Sequence, residues 1–541
     1  MSFENYLNIV SGNFRKAVKV EWLNPDESVN FEFTNDLYDI NVDLNVNYQN
    51  GSRRTCTLTL NNDRNKFPVN FNNIWFGQKF KLWMGVYIDE KTPYYFPQGV
   101  FYISNPNEAF QPTTRTIKIN GVDKWAFLDG TLHGKLSGTY QTSINVDLFE
   151  ATRDLLLQPI SGDIIREYFD IDNSDDYWFV CNGTSLKPNN IDVNSSSART
   201  KLIAKDNFEM QFDYSCKTEK NSDKFFFRVN SDDYLFDGIS GEVSGTQKIA
   251  ISRGDTITLT YRKDISGSAY NEHVLISNIK IIQNSIPKVV DVVPPFLSPY
   301  YIGRKQIIPV FDESKSTYVD TEVEVLKCPY TAKVERGKTY ADVLLEYATI
   351  LCAHIYYDVN GRLTIEPMLS EADDITDTNK ETLWHFTVEE KQLLGLNTTY
   401  NFNKVYNDII VLGNITNGYQ FKARVQNRNL MSDTCVQKIG LKTKEPIENN
   451  QYYSDEQCKE LAIYYAKIDT ILQKSGDISS TPLYHLDVNK LVTVSTPNNN
   501  MSKELFLITG YTLNSSNSMS ISITSVNVLK DFSVVEADVY E

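Results

Sequence analysis

The chain has 541 residues, of which 41% are hydrophobic, with a formal net charge of −16 and a pI of about 5.0. This length fits three or four domains, and the apolar content is sufficient for ordinary cores. The acidic balance excludes a general nucleic-acid binder, because such proteins need clustered Lys and Arg to displace counterions.

The cysteines and the hydropathy of the chain indicate in which compartment the protein folds. The seven cysteines are scattered and form no C-x-x-C pair, so neither a disulfide framework nor a zinc site is expected. The first ten residues lack the apolar segment of a signal peptide, and no stretch is long and apolar enough to cross a membrane. The sequence therefore predicts a soluble protein that folds in a reducing cytoplasm.

The first 158 residues show the pattern of short strands. Apolar and polar residues alternate over 41–48 and 54–60, which places one face of each strand in a core. The tetrapeptide Gln49-Asn50-Gly51-Ser52 between them is a hairpin signal. Further strands are predicted at 79–86, 99–104 and 115–120. Such spacing predicts a barrel or a sandwich over 1–158, which closes on a short helix capped by Asn145.

Residues 160–285 have a different texture. This segment is rich in Ser, Asn and Asp, has almost no helical signal, and shows strand patterns at 208–214, 224–229, 255–262 and 273–282. A stiff linker follows, containing Pro287, Pro294, Pro295 and Pro299. We therefore expect an inserted β-sandwich, since domain insertion is tolerated at exposed connections.

The remaining sequence divides into a linker with an α/β domain, 286–400, and a β-rich domain with one long helix, 401–541. Thr339 with Asp342 predicts a variant capping box, and Asn360-Gly361 predicts a type I′ turn. Ser454 with Gln457 predicts a second capped helix, with an apolar stripe of Cys458, Leu461, Tyr465, Ile468 and Leu472. The predicted fold class is mainly β with a few α-helices, of the α+β type.

Four stretches carry a family likeness through their shared order. They are RTCTLTL (54–60) with GQKFKL (77–82), RTIKI (115–119) with DKWAFLD (123–129), DVLLEYA (342–348) through YYDVNGRL (356–363), and VYNDIIVLG (405–413) followed by the helix containing Cys458. In this order they resemble the baseplate hub, or tail-tip hub, proteins of tailed bacteriophages. The resemblance covers 1–158 and about 285–531, whereas 160–285 departs from the hub pattern.

This resemblance implies a homotrimeric hub built from barrel-like domains, of which 1–158 is the N-terminal one. It places the hub in the virion, between the tail tube and the host-facing tip, with assembly in the cytoplasm of the bacterial host. Its implied partners are a distal tail or tail tube protein, a tape-measure protein, and tip or receptor-binding proteins. Such a hub closes the tube and lets DNA pass without sequence-specific contacts. Many hub proteins continue into a peptidoglycan hydrolase, but this chain ends at Glu541, soon after the last hub strand. We therefore expect a structural protein without enzymatic activity.

The motifs of common catalytic and metal sites are missing. The five histidines form no H-E-x-x-H pattern, and neither a G-x-S-x-G elbow nor a Gly-rich phosphate loop occurs. Four acidic residues could supply oxygen ligands to calcium, but the EF-hand glycine and terminal Glu are absent. The residues are Asp170, Asp172, Asp175 and Asp176. A solvated acidic turn is therefore favoured, and we expect neither a metal nor a cofactor.

The aromatic residues of the insert suggest a sugar-binding surface. The insert's strands are loosely similar to lectin-like or carbohydrate-binding modules, which stack sugars on exposed rings. Trp178, Tyr234 and Tyr261 are the candidate carbohydrate-binding residues, with host cell-wall glycans as the ligand. The competing interpretation is that these rings belong to a core.

Two other functions remain open on the sequence. The first is a tail-associated cell-wall hydrolase or glycosidase with its active site in the insert. That function requires two carboxylates facing each other across an aromatic groove. The second is a cell-surface lectin, which the missing signal peptide disfavours.

Overall fold

The computed structural model has two compact units. Unit 1 comprises Met1–Leu23, Val29–Ala151 and Pro295–Glu541, and unit 2 comprises Asn24–Ser28 and Thr152–Pro294. The structure describes all residues except 1–2, 11, 25–26, 36–39, 63–64, 71–72, 113, 137, 157–163, 183–184, 231–232, 266–271, 283–292, 313–316, 369–381, 390–391, 417, 498–500, 515–517, 527–532 and 536–541. The predicted bounds 158, 160, 285, 286 and 541 and linker residue Pro287 lie outside the described residues, and the four-domain division stays a prediction.

The N-terminal part of unit 1 contains one helix followed by strands and a second helix. Helix α1 is Phe3–Val10, and the strands are β1 Lys16–Leu23, β2 Val29–Thr34, β3 Asn41–Asn47, β4 Arg54–Asn61, β5 Lys79–Tyr87, β6 Pro93–Gln111, β7 Thr114–Asp123 and β8 Tyr140–Thr142. A 3-10 turn, Lys124–Phe127, follows β7. Helix α2 spans Leu148–Leu156, and the boundary between the units falls within it, after Ala151.

Unit 2 contains a short helix and ten strands. The helix α3 is Ile164–Tyr168, and the strands are β9 Phe169–Asp172, β10 Phe179–Asn182, β11 Ser185–Pro188, β12 Ser197–Ala204, β13 Phe208–Lys217, β14 Lys224–Val229, β15 Asp233–Ile239, β16 Glu242–Ile251, β17 Thr256–Arg262 and β18 His273–Ile282.

The C-terminal part of unit 1 supplies the remaining elements. In chain order they are β19 Phe296–Leu297, β20 Lys305–Asp312, β21 Thr317–Glu324, β22 Ala332–Val334, α4 Tyr340–Ile350, β23 Ala353–Tyr357, β24 Leu363–Pro367, β25 Thr382–Thr387, β26 Leu393–Tyr400, β27 Asp408–Thr416, β28 Tyr419–Gln426, α5 Val436–Ile439, β29 Ile447–Glu448, α6 Asp455–Asp469, β30 Lys474–Ser480, β31 Leu491–Thr496, β32 Met501–Leu513, β33 Met519–Ser525 and β34 Ser533–Val535. Two further 3-10 turns are Pro299–Tyr301 and Phe402–Lys404.

One large sheet joins the two ends of the chain. Its order is β2-β1-β5-β6-β7-β4-β3-β32-β33-β30-β26, with β31 pairing β32 and β25 to complete 13 strands. The junction is the antiparallel pairing of β3 with β32, in which Leu44 lies opposite Leu513. The mainly-β, α+β prediction is therefore confirmed. The described strands of this sheet follow an open order, and no closed barrel is found among them.

The period-two pattern of the sequence explains this sheet. In β3 and β4 the buried residues alternate with exposed or half-buried ones, as predicted from the sequence. Side chains from both ends of the chain share one core, including Val42, Leu58, Ile508 and Ile521. Burial of this common apolar surface stabilises the pairing of segments more than 400 residues apart in the chain.

Two local predictions near α4 meet different outcomes. The Asp342 carboxylate accepts the backbone N–H of Thr339 at 2.8 Å, and the Thr339 hydroxyl accepts the N–H of Asp342 at 3.2 Å, so the capping box is confirmed. The type I′ turn is wrong. Only Gly361 has positive φ, at +74°, and its N–H bonds to Asp358 O at 3.0 Å, giving a longer turn with one left-handed residue.

The helix caps and faces also correct two predictions. Asp147, rather than Asn145, caps α2, because its carboxylate accepts the N–H groups of Phe149 and Glu150. The N-cap of α6 at Ser454 is confirmed. Of the predicted stripe, Cys458 is buried, and Leu461 and Tyr465 are partly buried against the same core. The other buried residues of the helix are Gln457, Ala462, Tyr464 and Ala466. Small side chains allow α6 to pack closely on the sheet of β27 and β28.

Unit 2 is a sandwich of two five-stranded sheets. Their orders are β10-β11-β18-β13-β16 and β15-β14-β17-β12-β9. The inner faces enclose an aromatic core in which the rings of Phe212 and Phe227 stack at 5.1 Å. The sandwich and its predicted strands at 208–214, 224–229, 255–262 and 273–282 agree with the structure within a few residues at each end.

Candidate functional site

Trp178 lies exposed at one edge of unit 2, just before β10. Its backbone N–H donates to Asn189 Oδ1 at 2.9 Å, and its carbonyl accepts the Asn189 N–H at 3.0 Å. The side chain is 39% exposed. A fixed backbone with an open indole face is what stacking on a sugar ring requires, so this residue remains a candidate.

Tyr234 lies on β15, an edge strand of the other sheet of unit 2. Its side chain is 49% exposed, and the Arg228 guanidinium lies 5.2 Å from the ring centroid. One face of this ring is therefore shared with a cation. The remaining exposed area is available to a ligand.

Trp178 and Tyr234 lie at opposite edges of the sandwich. The strand β10 packs beside β12, since the Phe179 N–H donates to Thr200 Oγ1 at 2.8 Å. In contrast, β15 packs over β13, where the rings of Phe236 and Tyr214 are 4.5 Å apart. The structure therefore does not bring the two candidate rings into one surface.

Tyr261 is a core residue. It lies on the central strand β17 with no exposed side-chain area, and its hydroxyl donates to the Glu272 carboxylate. A sugar ring needs an open aromatic face, so the placement of Tyr261 on a binding surface disagrees with its burial. The assignments of Trp178 and Tyr234 stay predictions.

A buried ionic cluster, which we call the Lys263 cluster, lies around Tyr261. It comprises Tyr261, Asp223, Lys263 and Glu272. The Lys263 ammonium lies 2.7 Å from Glu272 Oε2 and 3.8 Å from Asp223 Oδ2, and it donates to Ile191 O at 2.6 Å. Burial, together with the adjacent Glu272 carboxylate, raises the pKa of Asp223 to about 6.

The two carboxyl groups of the Lys263 cluster can be compared with the pair that the hydrolase alternative requires. Its two carboxyl side chains are 1% and 2% exposed, for Asp223 and Glu272 respectively. A glycosidase needs its two carboxyl groups on either side of a bound sugar. This carboxylate pair faces a lysine inside the fold, and a substrate has no access to it in this structure.

Two of the four acidic residues singled out in unit 2 pair with lysines. Asp170 lies 3.2 Å from Lys205 Nζ, and Asp172 lies 3.5 Å from Lys201 Nζ. Within the described residues, no three His, Cys, Asp or Glu side chains come together as metal ligands. The described helices likewise include none with the length and apolar character needed to cross a bilayer.

A buried arginine ties three distant parts of unit 1 together. The Arg54 guanidinium on β4 donates to Tyr357 O at 3.1 Å and forms an ion pair with the Asp487 carboxylate. Tyr357 ends β23, whereas Asp487 precedes β31. One side chain from the N-terminal part therefore holds two segments of the C-terminal part.

The neighbouring Arg53 extends this buried arginine network. Its guanidinium lies 3.3 Å from the centroid of the Tyr356 ring. The Tyr356 hydroxyl donates to Glu366 Oε1 at 2.7 Å, and Asn489 donates to the same carboxylate. Burial raises the pKa of Tyr356 well above its ordinary value, so the phenol stays neutral and keeps donating.

Asp123 anchors the backbone beneath both arginines. Its Oδ2 accepts the N–H groups of Arg53 at 2.6 Å and Arg54 at 2.9 Å, and its Oδ1 accepts the N–H of Trp125. Beside it, Lys124 Nζ donates to Gly361 O at 2.9 Å. The sequence analysis placed these residues in strand and turn motifs and missed the network.

One sequence signal could have revealed the arginine network. Arg54 has the same strand phase as the buried residues Cys56, Leu58 and Leu60. A charged residue on the core-facing side of a strand needs a buried partner. The identity of that partner depends on pairings across hundreds of residues and cannot be read locally.

Unit 1 also exposes apolar side chains beside β1, the neighbour of the terminal strand β2, and beyond the terminal strand β26 of its large sheet. Near β1, Trp75 and Phe76 are exposed on a segment that Gln78 attaches to Leu23 O at 2.9 Å. Beyond β26, a groove of about 690 Å³ begins at Phe402; we call it the Phe402 groove. Its apolar lining residues are Phe402, Val405, Met431, Ile439, Ile471 and Leu472.

No family model and no curated protein matches this chain. Solved structures similar to it include three tail proteins. The 43 kDa tail protein of prophage MuSo2 from Shewanella oneidensis is 10% identical with a TM-score of 0.42, covering 94% of this chain and 98% of the other. A tail protein from Neisseria meningitidis MC58 is 8% identical with a TM-score of 0.43, covering 95% and 97%. Prophage tail protein gp18 from Listeria monocytogenes EGD-e is 8% identical with a TM-score of 0.40, covering 94% of each.

Proposed function

We propose that this chain is a structural component of a phage tail and forms the central hub of a baseplate or tail tip as a homotrimer. In this role it closes the tail tube and lets DNA pass. It holds a distal tail or tail tube protein, the tape-measure protein and the tip or receptor-binding proteins. The work is geometric and uses no catalytic group or cofactor.

The observation that carries the proposal is the large sheet with a different apolar surface near each end. Among the described strands, β2 and β26 each pair on one side only. Unpaired edges next to exposed apolar residues favour association, and a neighbouring chain can cover them. Two different surfaces on one chain suit a head-to-tail contact, which closes into a ring when the rotation fits three copies.

The charge of the chain sets how such a trimer responds to salt. Each copy carries a net charge of −16, so like charges repel and apolar contacts must outweigh that repulsion. Added salt screens the repulsion. We therefore expect the trimer to persist or strengthen at high ionic strength.

Light scattering on the purified chain in low and high salt tests the proposal. We expect three times the chain mass of 62.0 kDa in both conditions. Met431→Ser in the Phe402 groove should weaken the trimer at least several-fold. Ile265→Ser in unit 2 is the matched control, because the two side chains are 88% and 86% exposed. A stable monomer at micromolar concentration in both salts, or equal effects of the two variants, would contradict the proposal.

A second function, glycan binding by unit 2, is supported by the exposed Trp178. Titration calorimetry with polysaccharide from host cell walls is the test. Trp178→Ala should abolish binding, whereas Tyr261→Phe should leave it unchanged because that ring is buried. Tyr234→Ala measures the opposite edge independently. Unchanged affinity in both alanine variants would remove both candidate residues.

A further inference from the structure

The Lys263 cluster joins four separate segments at one end of unit 2. Lys263 follows β17, Glu272 precedes β18, Asp223 precedes β14, and Ile191 belongs to the connection between β11 and β12. The cluster therefore holds together the loops on this side of the sandwich. Its side chains are inside the fold, where water screens them little.

The cluster contains one more acid than base. With both carboxyl groups ionised, two negative charges face the single positive charge of Lys263. The Tyr261 hydroxyl donates to Glu272, and the Asp264 N–H donates to Asp223 Oδ1 at 2.9 Å. These donors stabilise the carboxylates, but they add no compensating charge. Among these named groups the negative charges exceed the positive charges by one, and a proton on one carboxyl group would balance them.

Among the described residues, the other groups beside the cluster that can carry a charge include Cys216, His273 and Arg262. Cys216 on β13 stays a neutral thiol, because burial raises its pKa to about 11. His273 faces Ser215, whose hydroxyl lies 2.9 Å from the ring nitrogen Nε2. The guanidinium of Arg262 lies 5.2 Å from the centroid of the Phe226 ring.

We propose that the Lys263 cluster is a proton-responsive device that takes up one proton on Asp223 in mildly acid solution and thereby stabilises this end of unit 2. The folded chain then binds a proton that the unfolded chain lacks. Stability gained in this way is complete below the ordinary range of an aspartate and is lost as the pH rises through about 6.

The Lys263 cluster and the exposed Trp178 are both bonded to the segment between β11 and β12. Ile191 O accepts from Lys263, and Asn189, two residues earlier, holds the backbone of Trp178. Loosening of the cluster near neutral pH would therefore release the segment that positions the indole. This consequence for ligand binding rests on the proposed glycan function, whereas the proton uptake does not.

Hydrogen–deuterium exchange on the full chain tests the device without any ligand. The wild type is compared with Asp223→Asn between pH 4.5 and 7.5, with rates corrected for intrinsic exchange. The readout is the protection factor of peptides covering β17 and β18. Asn keeps the oxygen that accepts from Asp264 but cannot titrate.

The expected result is a protection ratio, wild type over Asp223→Asn, that is constant above pH 6. Below pH 6 it should rise by up to about tenfold for each pH unit, as one proton is taken up. Asp237→Asn, an exposed acid on β15, is the control and should give a flat ratio. If Asp223→Asn fails to fold, Glu272→Gln serves as the second variant, because it removes the negative neighbour and shifts the uptake to lower pH. A flat ratio for the folded variants would overturn the proposal.

Discussion

Unit 1 and unit 2 each bury a cluster of charged side chains, and the two clusters differ in their charge balance. In unit 1 three cations, Arg53, Arg54 and Lys124, accompany three carboxylates, Asp123, Glu366 and Asp487. In unit 2 the single Lys263 faces two carboxylates. In a balanced cluster each carboxylate has a cation to offset its charge, whereas an unbalanced cluster favours the uptake of a proton when the pH falls.

The largest effect is expected from Arg54→Met in the balanced cluster. This change leaves the Asp487 carboxylate without its cation and Tyr357 O without a donor. We expect unit 1 to lose about 3–5 kcal/mol of unfolding free energy, measured by denaturant titration. The control is Arg115→Met, since Arg115 forms a half-exposed pair with Glu108 at 3.7 Å and should contribute less than about 1 kcal/mol. Similar losses for both variants would remove the distinction between buried and exposed pairs.

Lys263→Met is the counterpart in the unbalanced cluster. We expect a loss of about 3 kcal/mol at pH 7.5, because two facing carboxylates remain without a cation. Each of them then holds a proton more tightly in the folded chain, so the loss should shrink as the pH falls toward 5. Thermal unfolding followed at both pH values measures this difference. A loss that is independent of pH would show that proton uptake does not compensate the missing lysine.

Gly361→Ala tests a contact between the arginine network and its surroundings. A methyl group there would meet Val100 Cγ2 at 2.7 Å, beside the carbonyl that binds Lys124. Gly418→Ala is the control, because Gly418 also has positive φ but has open space around it. We expect both variants to lose about 1 kcal/mol for the backbone conformation, and Gly361→Ala to lose about 1–3 kcal/mol more. Equal melting temperatures of the two variants would contradict this packing.

The smallest effect is expected from Trp178→Ala. The indole is substantially exposed, and its backbone bonds to Asn189 do not depend on the side chain. The free energy of unfolding of unit 2 should therefore change by less than about 0.5 kcal/mol, as measured by denaturant titration. A larger loss would identify this ring as part of the core.

The sequence predicted the features that depend on near neighbours. Alternation located β3, β4 and the strands of the sandwich, and Thr339 with Asp342 located the start of α4. The prediction of a helix cap was wrong where two candidate residues lie close together in the chain, as with Asn145 and Asp147. The stripe predicted for α6 was right in part, since Cys458, Leu461 and Tyr465 contact the core. The sequence analysis missed the small residues Ala462 and Ala466, which a close approach to the sheet favours.

Features that depend on the pairing of distant segments could not be predicted from the sequence. Trp178 and Tyr234 were grouped by residue type, but strand order places them at opposite edges. Tyr261 and Trp178 look alike in sequence, and only the position of β17 at the centre of its sheet buries the former. The partners of Arg54 are 303 and 433 residues away along the chain.

Exchange mapping of the Arg54→Met variant tests most directly whether the two ends of the chain form one unit. The measurement compares deuterium uptake with the wild type in peptides from β3 and β4, from β32 and β33, and from the unit 2 strands β13 and β17. We predict a matching loss of protection in the first two groups and unchanged protection in the third. A loss confined to residues 16–123, with β32 and β33 unaffected, would contradict the account.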